Sequence, residues 1–387
     1  MTMWEKNMIK VLLVDQIGHK TYEYDYSAAK SYSSEYEVTC YVSDNTPRDV
    51  DTTGFKVAYG FHDVYTGNKI QKGVKYIKAL SEMKKFIKEN HFDIINLQWY
   101  ELALYQKFFI RSLKRTCSPT PKIVMTVHGI FPKSLGWFRH FSLQAVYNEA
   151  DAILIHSDPG VRYFNENYNT ACPKYMITSA FRDESDYVPI DRAEAKRRLG
   201  IPVDKKVVLS FGTIREDKTI DVLYKAFPQA LKKNSDLFLL SAGTLNVKEK
   251  DYYTSLADAC RATGAAKIDF DYVSKEMEPV YYSAADILAL PYSYISQSGV
   301  AYCGLLFRLP MVATDIPRLD LMAKEGINAE IFPKGDDVAM ADKLAELAAD
   351  DQKLTRYAEG SERIRKEEFS IKRRVALTEQ AYREIMK

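Results

Sequence analysis

The chain has 387 residues, 54 Lys and Arg against 52 Asp and Glu, and 46% apolar side chains. That length supports two domains with sizeable cores, and the composition is that of a soluble globular protein rather than a disordered or fibrous one. The five cysteines (Cys40, Cys117, Cys172, Cys260, Cys303) include no C-x-x-C pair, so neither a disulfide framework nor a zinc site is expected.

The first strand is expected at Lys10–Val14. This apolar run is too short to span a membrane and ends at Asp15. The turn after it, Asp15-Gln-Ile-Gly18-His19, carries one glycine and no G-x-G-x-x-G, which argues against a nicotinamide or flavin dehydrogenase. Gly18 and His19 are candidates for the acceptor or phosphate side of a cleft. Strands follow at Val38–Val42, Phe55–Tyr59, Ile94–Leu97, Ile123–Val127 and Ala152–Ile155, with helices at Ile70–Glu89, Leu102–Arg115 and Trp137–Glu149. On the first of these helices Tyr76, Leu80, Met83 and Ile87 recur at helical spacing and should pack on the sheet. Lys72, Lys75, Lys78, Lys84, Lys85 and Lys88 lie opposite, with Val74 and Ile77 among them. From Lys69 to Arg139 there are 14 Lys/Arg against 4 Asp/Glu. Such a face reads either as solvated or as a contact with an anionic membrane through Lys72, Lys78, Lys84, Lys85 and Lys88. No nucleic-acid-binding module accompanies it, and no nucleic-acid partner is expected. His128, just past a strand and before Gly129, is either a ligand contact or a strand-end histidine satisfied locally. His62, His91, His140 and His156 read as surface or structural.

A polar junction, Arg182 to Ile190, precedes the second half. Strands are expected there at Val207–Phe211, Leu237–Ser241, Ile268–Phe270, Ile287–Leu290, Met311–Ala313 and Ala329–Phe332, alternating with helices such as Ile220–Leu231. Residues Lys353–Lys387 read as two further helices. Short apolar runs separated by helical periods argue for parallel sheets built from βαβ units. After the first of these strands come Gly212, Arg215 and Lys218. A guanidinium fork and an ammonium on a loop at a strand's carboxyl end suit a diphosphate. After the fourth comes Pro291-Tyr-Ser-Tyr-Ile-Ser-Gln-Ser-Gly-Val300, in which Gln297, Ser298, Gly299 and Val300 open a helix whose unpaired N–H groups form a second anion site. No Walker A, H-E-x-x-H or G-x-S-x-G motif is present.

These two loops, with Ala195-Lys-Arg-Arg-Leu-Gly-Ile-Pro202, Ala285-Asp-Ile-Leu-Ala-Leu-Pro291 and Val127-His-Gly129, resemble glycosyltransferase family 4, in a variant carrying a Q-S-G-V loop. The resemblance implies the α/β GT-B fold: two Rossmann-like domains with parallel sheets facing an interdomain cleft. It divides the chain into an acceptor-side domain at 1–185, a nucleotide-sugar domain at 186–365 and a C-terminal helix at 366–387 crossing back to the first. It further implies transfer of a sugar from a nucleotide diphosphate sugar to a glycan or lipid-linked acceptor with retention, in cell-surface polysaccharide biosynthesis. The expected setting is cytoplasmic, at the inner face of the membrane, with no cofactor or metal. His128, Arg215 and Lys218 would be catalytic, with the base near Val273 and Ser274. The pattern also departs from the family. Ile295 and Cys303 replace its paired acids, Thr219, Arg308, Pro317 and Arg318 stand where glycines are common, and Leu321, beside Asp320, aligns with its glutamate. Two other readings stay open: a non-catalytic glycosyltransferase-like partner subunit, and a GT-B nucleotide-sugar epimerase.

Overall fold

The computed structural model describes residues 8–19, 21–128, 136–178, 187–295 and 298–387. The chain forms two compact units, Met1–Asp183 with Ser370–Lys387, and Glu184–Phe369. In the first unit the strands are β1 (Ile9–Asp15), β2 (Tyr36–Ser43), β3 (Lys56–Gly60), β4 (Ile94–Leu97), β5 (Lys122–Val127), β6 (Ala152–Ile155) and β7 (Lys174–Met176). They form one parallel sheet in the order β3-β2-β1-β4-β5-β6-β7. Helices α1 (Tyr22–Ala29), α2 (Lys69–Asn90), α3 (Ala103–Thr116), α4 (Trp137–Tyr147) and α5 (Asp158–Asn167) connect them. The central strands are mostly apolar because both faces are covered, with Asn96 of β4 and Thr126 of β5 bonded to each other. One core joins them to α2, α3, α4 and α5 on one face. The other core joins Val11, Leu13 and Cys40 to Tyr26 and Ala29 of α1 and to Ala381 and Tyr382 of the last helix, α13 (Ile371–Ile385).

In the second unit β8 (Lys206–Phe211), β9 (Leu237–Ala242), β10 (Ala266–Asp269), β11 (Ile287–Leu290), β12 (Met311–Thr314) and β13 (Ala329–Phe332) form a parallel sheet in the order β10-β9-β8-β11-β12-β13. Both orders reverse beside the unit's first strand, β1 or β8, which opens a crevice at the strands' carboxyl ends. Helices α6 (Arg192–Arg198), α7 (Ile220–Lys233), α8 (Lys250–Arg261), α9 (Glu278–Ala284), α10 (Gly299–Leu306), α11 (Asp337–Ala348) and α12 (Asp351–Glu368) complete the unit. β10 starts two residues before its expected position, because this edge strand takes its register from β9 alone, Ala266 opposite Leu239. Phe270 falls outside it, under the Arg261 guanidinium. β7, three residues long, is too short to be read from its own pattern, and α1 and α5 are helices beyond those expected.

The chain returns to the first unit at Ser370, which caps α13 by accepting from the Arg373 N–H at 3.2 Å. The anchor is Arg374, 1% exposed. Its guanidinium lies 3.8 Å over the Tyr24 ring and donates to the Tyr24 carbonyl at 2.7 Å and the Ser27 hydroxyl at 3.2 Å. A buried arginine of this kind is stable only when stacked and bonded.

Candidate functional site

In the second unit the loops after β8 and β11 come together. Gly212 turns the chain out of β8 at φ +84, and a Cβ there would stand 3.3 Å from Lys218 Nζ and 3.4 Å from Val300 Cγ2. The three residues are therefore neighbours, with Gly212 as the floor. Lys218 ends a single 3-10 turn, Glu216–Lys218. Its ammonium makes a long 3.4 Å bond to the Phe211 carbonyl and sits 5.6 Å from the Tyr292 ring centroid. Burial, then the nearby Arg215 charge, brings its pKa down to about 8. A cation this poorly solvated is poised to take an anion.

Arg215 is engaged differently. Its Nε and Nη2 donate to Asp217 Oδ1 and Oδ2 at 3.0 and 3.1 Å, and this fork raises its pKa. The Asp217 carbonyl in turn accepts from the Ser293 N–H at 2.9 Å, tying the first loop to the second. Asp217 was not singled out in the sequence, although an acid two residues after Arg215 was the available signal.

Across from Lys218, Ser298 caps α10 by accepting from the Ala301 N–H at 3.0 Å. A Cβ on Gly299 would meet none of the described residues within 4 Å, so the helix start is open on that side. Gln297, with Ser296, lies outside the described residues. Val273 and Ser274 lie on the loop after β10, at the same edge of the sheet. Tyr272 beside them is 77% exposed, a ring that sequence reading passed over.

Three of the four replaced glycines share one backbone feature, Pro317 being the exception. Thr219, Arg308 and Arg318 have φ of +37°, +57° and +76°. Three positions where glycine is common thus keep the left-handed conformation without it, at about 1–2 kcal/mol each. Each is held from outside. Thr219 Oγ1 donates to the Pro291 carbonyl, and Arg308 pairs with Glu362 at 3.2 Å. Arg318 donates to the Ile295 carbonyl at 2.8 Å. Ile295 and Cys303, at the acid positions, are buried and bring no carboxylate to the loop.

In the first unit His128 ends β5, partly exposed, its ring stacked on Trp99 with centroids 4.5 Å apart. Its Nε2 lies 2.8 Å from the Gln98 side chain and its Nδ1 3.3 Å from His156 Nε2, while His156 Nδ1 lies 3.3 Å from the Thr178 carbonyl. A carbonyl can only accept, so it sets the tautomers along the row. His156 donates from Nδ1, His128 donates from its own Nδ1, and His128 Nε2 is left to accept from a Gln98 amide turned N–H first. Burial, then neighbouring His156 and Arg374, holds the His128 pKa well below its ordinary value. Burial and Arg374 take His156 down to about 3. His128 is thus a fixed, neutral ring. Gly129 lies outside the described residues.

Gly18 has φ +74, and a Cβ there would collide with Asn45 and Thr46. Its N–H and that of Ile17 donate to the buried Asp15 carboxylate at 3.3 and 2.9 Å. These two amides are committed to the turn. His19 is exposed and bonded to Asn45. Beside His128 lies a cavity of about 640 Å³, lined by Trp99, Tyr100, Glu101, Tyr105, Phe138 and Arg139 among others. The Trp99 indole N–H is buried without a hydrogen-bond partner among the described residues. The pair Trp99-Tyr100 lies one residue past the end of β4, a position that could have been flagged from sequence.

Among the described residues no group of three or more His, Cys, Asp or Glu is placed to hold a metal ion. No helix among them is long and apolar enough to cross a membrane.

The family model described as "Glycosyl transferases group 1" matches residues 191–364, and "Glycosyl transferase 4-like" matches residues 10–157. The chain belongs to glycosyltransferase family 4. It is similar to a D-inositol 3-phosphate glycosyltransferase of Corynebacterium urealyticum, 26% identical over 229 residues, 57% of this chain and 54% of that one. The chain thus spans about half the length of the curated relatives it matches. Among solved structures it resembles sucrose-phosphate synthase from Thermosynechococcus elongatus, with TM-score 0.76, 16% identity, 98% of this chain and 99% of that one. It also resembles Anabaena HepE in complex with UDP and glucose, with TM-score 0.72, 17% identity and the same coverage. The architecture of this family 4 chain is therefore GT-B, two Rossmann-like α/β halves.

Proposed function

We propose that this protein is a retaining glycosyltransferase that moves a sugar from a nucleotide diphosphate sugar to a glycan or lipid-linked acceptor, in cell-surface polysaccharide biosynthesis at the inner face of the membrane. The observation that carries the reading is Lys218, a half-buried ammonium beside Gly212 and Val300 with no strong partner among the described residues. Breaking the anomeric C–O bond puts charge on the departing diphosphate. Lys218, Arg215 and the first N–H groups of α10 would stabilise that anion where it develops. Arg215 reaches it by exchanging or sharing its fork with Asp217. The base would rest on Val273 and Ser274, with Tyr272 available to stack. His128, neutral and clamped between Gln98 and His156, suits orienting a sugar hydroxyl rather than moving a proton. The 640 Å³ cavity in the same unit is the place for the acceptor. UDP in the HepE complexes supports a nucleotide donor, and no cofactor or metal enters this scheme.

Turnover of a panel of nucleotide sugars by the purified protein, beside Lys218→Ala and Arg215→Ala, tests the reading. Each variant should lose ten-fold or more in turnover, since a charge-assisted contact is worth about 1.5–3 kcal/mol. The buried Ile295 and Cys303 in place of the acids favour a second reading, a partner subunit without turnover. A folded protein that neither binds nor turns over any donor would select it.

A further inference from the structure

Among the described residues eleven large apolar side chains of the first unit are more than a third exposed, and eight of them sit on α2, α3 and α4. On α2 they are Ile70, Val74 and Ile77, the first of them 80% exposed. On α3 they are Tyr105 and Phe108. On α4 they are Trp137, Phe138 and Phe141, with Trp137 79% exposed and stacked on Phe141. All eight fall in the first two or three turns of their helix. The three helices follow β3, β4 and β5 and cover one face of one parallel sheet, so those turns line up along its carboxyl edge. Lys84 Nζ donates to Ser112 between α2 and α3, and Arg111 pairs with Glu149 beyond α4, which keeps the three side by side.

The same helices carry seven, four and one Lys/Arg respectively, against Glu82 and Glu89 alone. Those two acids take Lys78 and Lys85 at i,i+4, and Lys84 is held by Ser112, so of the five lysines expected to meet a membrane only Lys72 and Lys88 remain uncommitted in these contacts. An apolar rim with Trp and Tyr, backed by cations, matches the boundary of an anionic bilayer. A second copy presenting this face would bring like charges together. Tyr105 and Phe138 belong both to the exposed patch and to the wall of the 640 Å³ cavity, with Arg139 beside them. The cavity therefore opens onto the patch.

Resting on the glycosyltransferase reading, we propose that the leading turns of α2, α3 and α4 insert into an anionic lipid bilayer, and that the adjoining cavity draws its acceptor, an amphiphile, from that bilayer. Binding of the full chain to vesicles of phosphatidylcholine with one quarter phosphatidylglycerol tests this, with Trp137 emission as the depth probe. Trp137 should shift to the blue and be quenched by brominated lipid, and Trp137→Phe should remove that signal. The triple variant Val74→Ser, Phe108→Ser, Phe141→Ser changes only exposed residues outside the cavity wall. It should weaken vesicle binding by at least about thirty-fold and turn over a short-chain, water-soluble acceptor analogue at the parental rate. Absence of vesicle binding, or binding without Trp137 quenching and indifferent to the triple variant, overturns insertion. Self-association of the parent that the triple variant abolishes, without lipid binding, overturns it in favour of a second copy. A parent that inserts but transfers no sugar to any acceptor overturns the acceptor half and the glycosyltransferase reading together, leaving insertion standing.

Discussion

Replacing Lys218 with methionine should make the protein more stable and unable to hold a nucleotide. Methionine keeps the length and the apolar stem while deleting the ammonium. Burial brings the ammonium to about 8 from an ordinary value of 10.5. Below pH 8 the folded chain therefore bears the cost of keeping it charged, about 2–3 kcal/mol once partial solvent screening is allowed for. The sign follows from proton counting. Between pH 8 and 10.5 the unfolded state binds the proton and the folded state has released it, so parental stability rises across that window. The advantage of Lys218→Met should be full at pH 7 and fade to nothing near pH 10.5. Bound diphosphate supplies the missing counter-charge, so parental nucleotide affinity should fall as pH rises through the lysine's titration, by up to ten-fold per unit. Urea unfolding at pH 7 and pH 10, with calorimetric titration of UDP and GDP, measures both sides. Lower stability of Lys218→Met at pH 7, or unchanged nucleotide affinity, would refute the assignment of Lys218 as a cation held ready for an anion.

Gly299→Val should abolish nucleotide binding by calorimetry while leaving the melting temperature within a few degrees, because its side chain would enter the open side of the α10 start without touching any described residue. His128 and His156 titrate below their ordinary value, so the unfolded state binds more protons as pH falls below about 6.5 and stability is lost there. At pH 5 the loss relative to pH 7 should be about 2 kcal/mol for His156, with a loss of the same sign from His128, and His156→Asn should recover its share in urea unfolding. Arg308→Gly should leave stability unchanged or raise it by up to about 1 kcal/mol, whereas Arg308→Val should lower it by more than that, since φ is +57 and the Glu362 pair is largely exposed.

The fold was legible because parallel strands buried on both faces are written as short apolar runs, and Val11–Val14, Val207–Phe211 and Ile287–Leu290 are apolar almost throughout. Edges were less legible. β7 and β10 each pair on one side only, so their position comes from a neighbour rather than from their own pattern. At the candidate site, Gly212, Lys218, Ser298 and Val300 could be placed together because glycine turns and a capped helix are local signals. What Arg215 does could not, since its fork with Asp217 depends on the backbone of the 3-10 turn between them. The histidine row was invisible for a related reason: His128 and His156 are neighbours only because β5 and β6 pair with Val127 opposite Ile155.

The lost glycines show the limit of pattern matching most directly. Read as letters, Thr219, Arg308 and Arg318 suggest an eroded loop. In the structure all three keep the left-handed backbone that makes glycine common there, each held by a contact to another segment. The residue changed and the conformation did not. Arg318 also gains something glycine lacks, because its bond to the Ile295 carbonyl braces the loop that leads into Ser298 and α10. A working anion site at Lys218 and Gly299 needs its loops held in place, and the contacts of Thr219 and Arg318 hold them, so the replaced glycines do not by themselves select the partner-subunit reading.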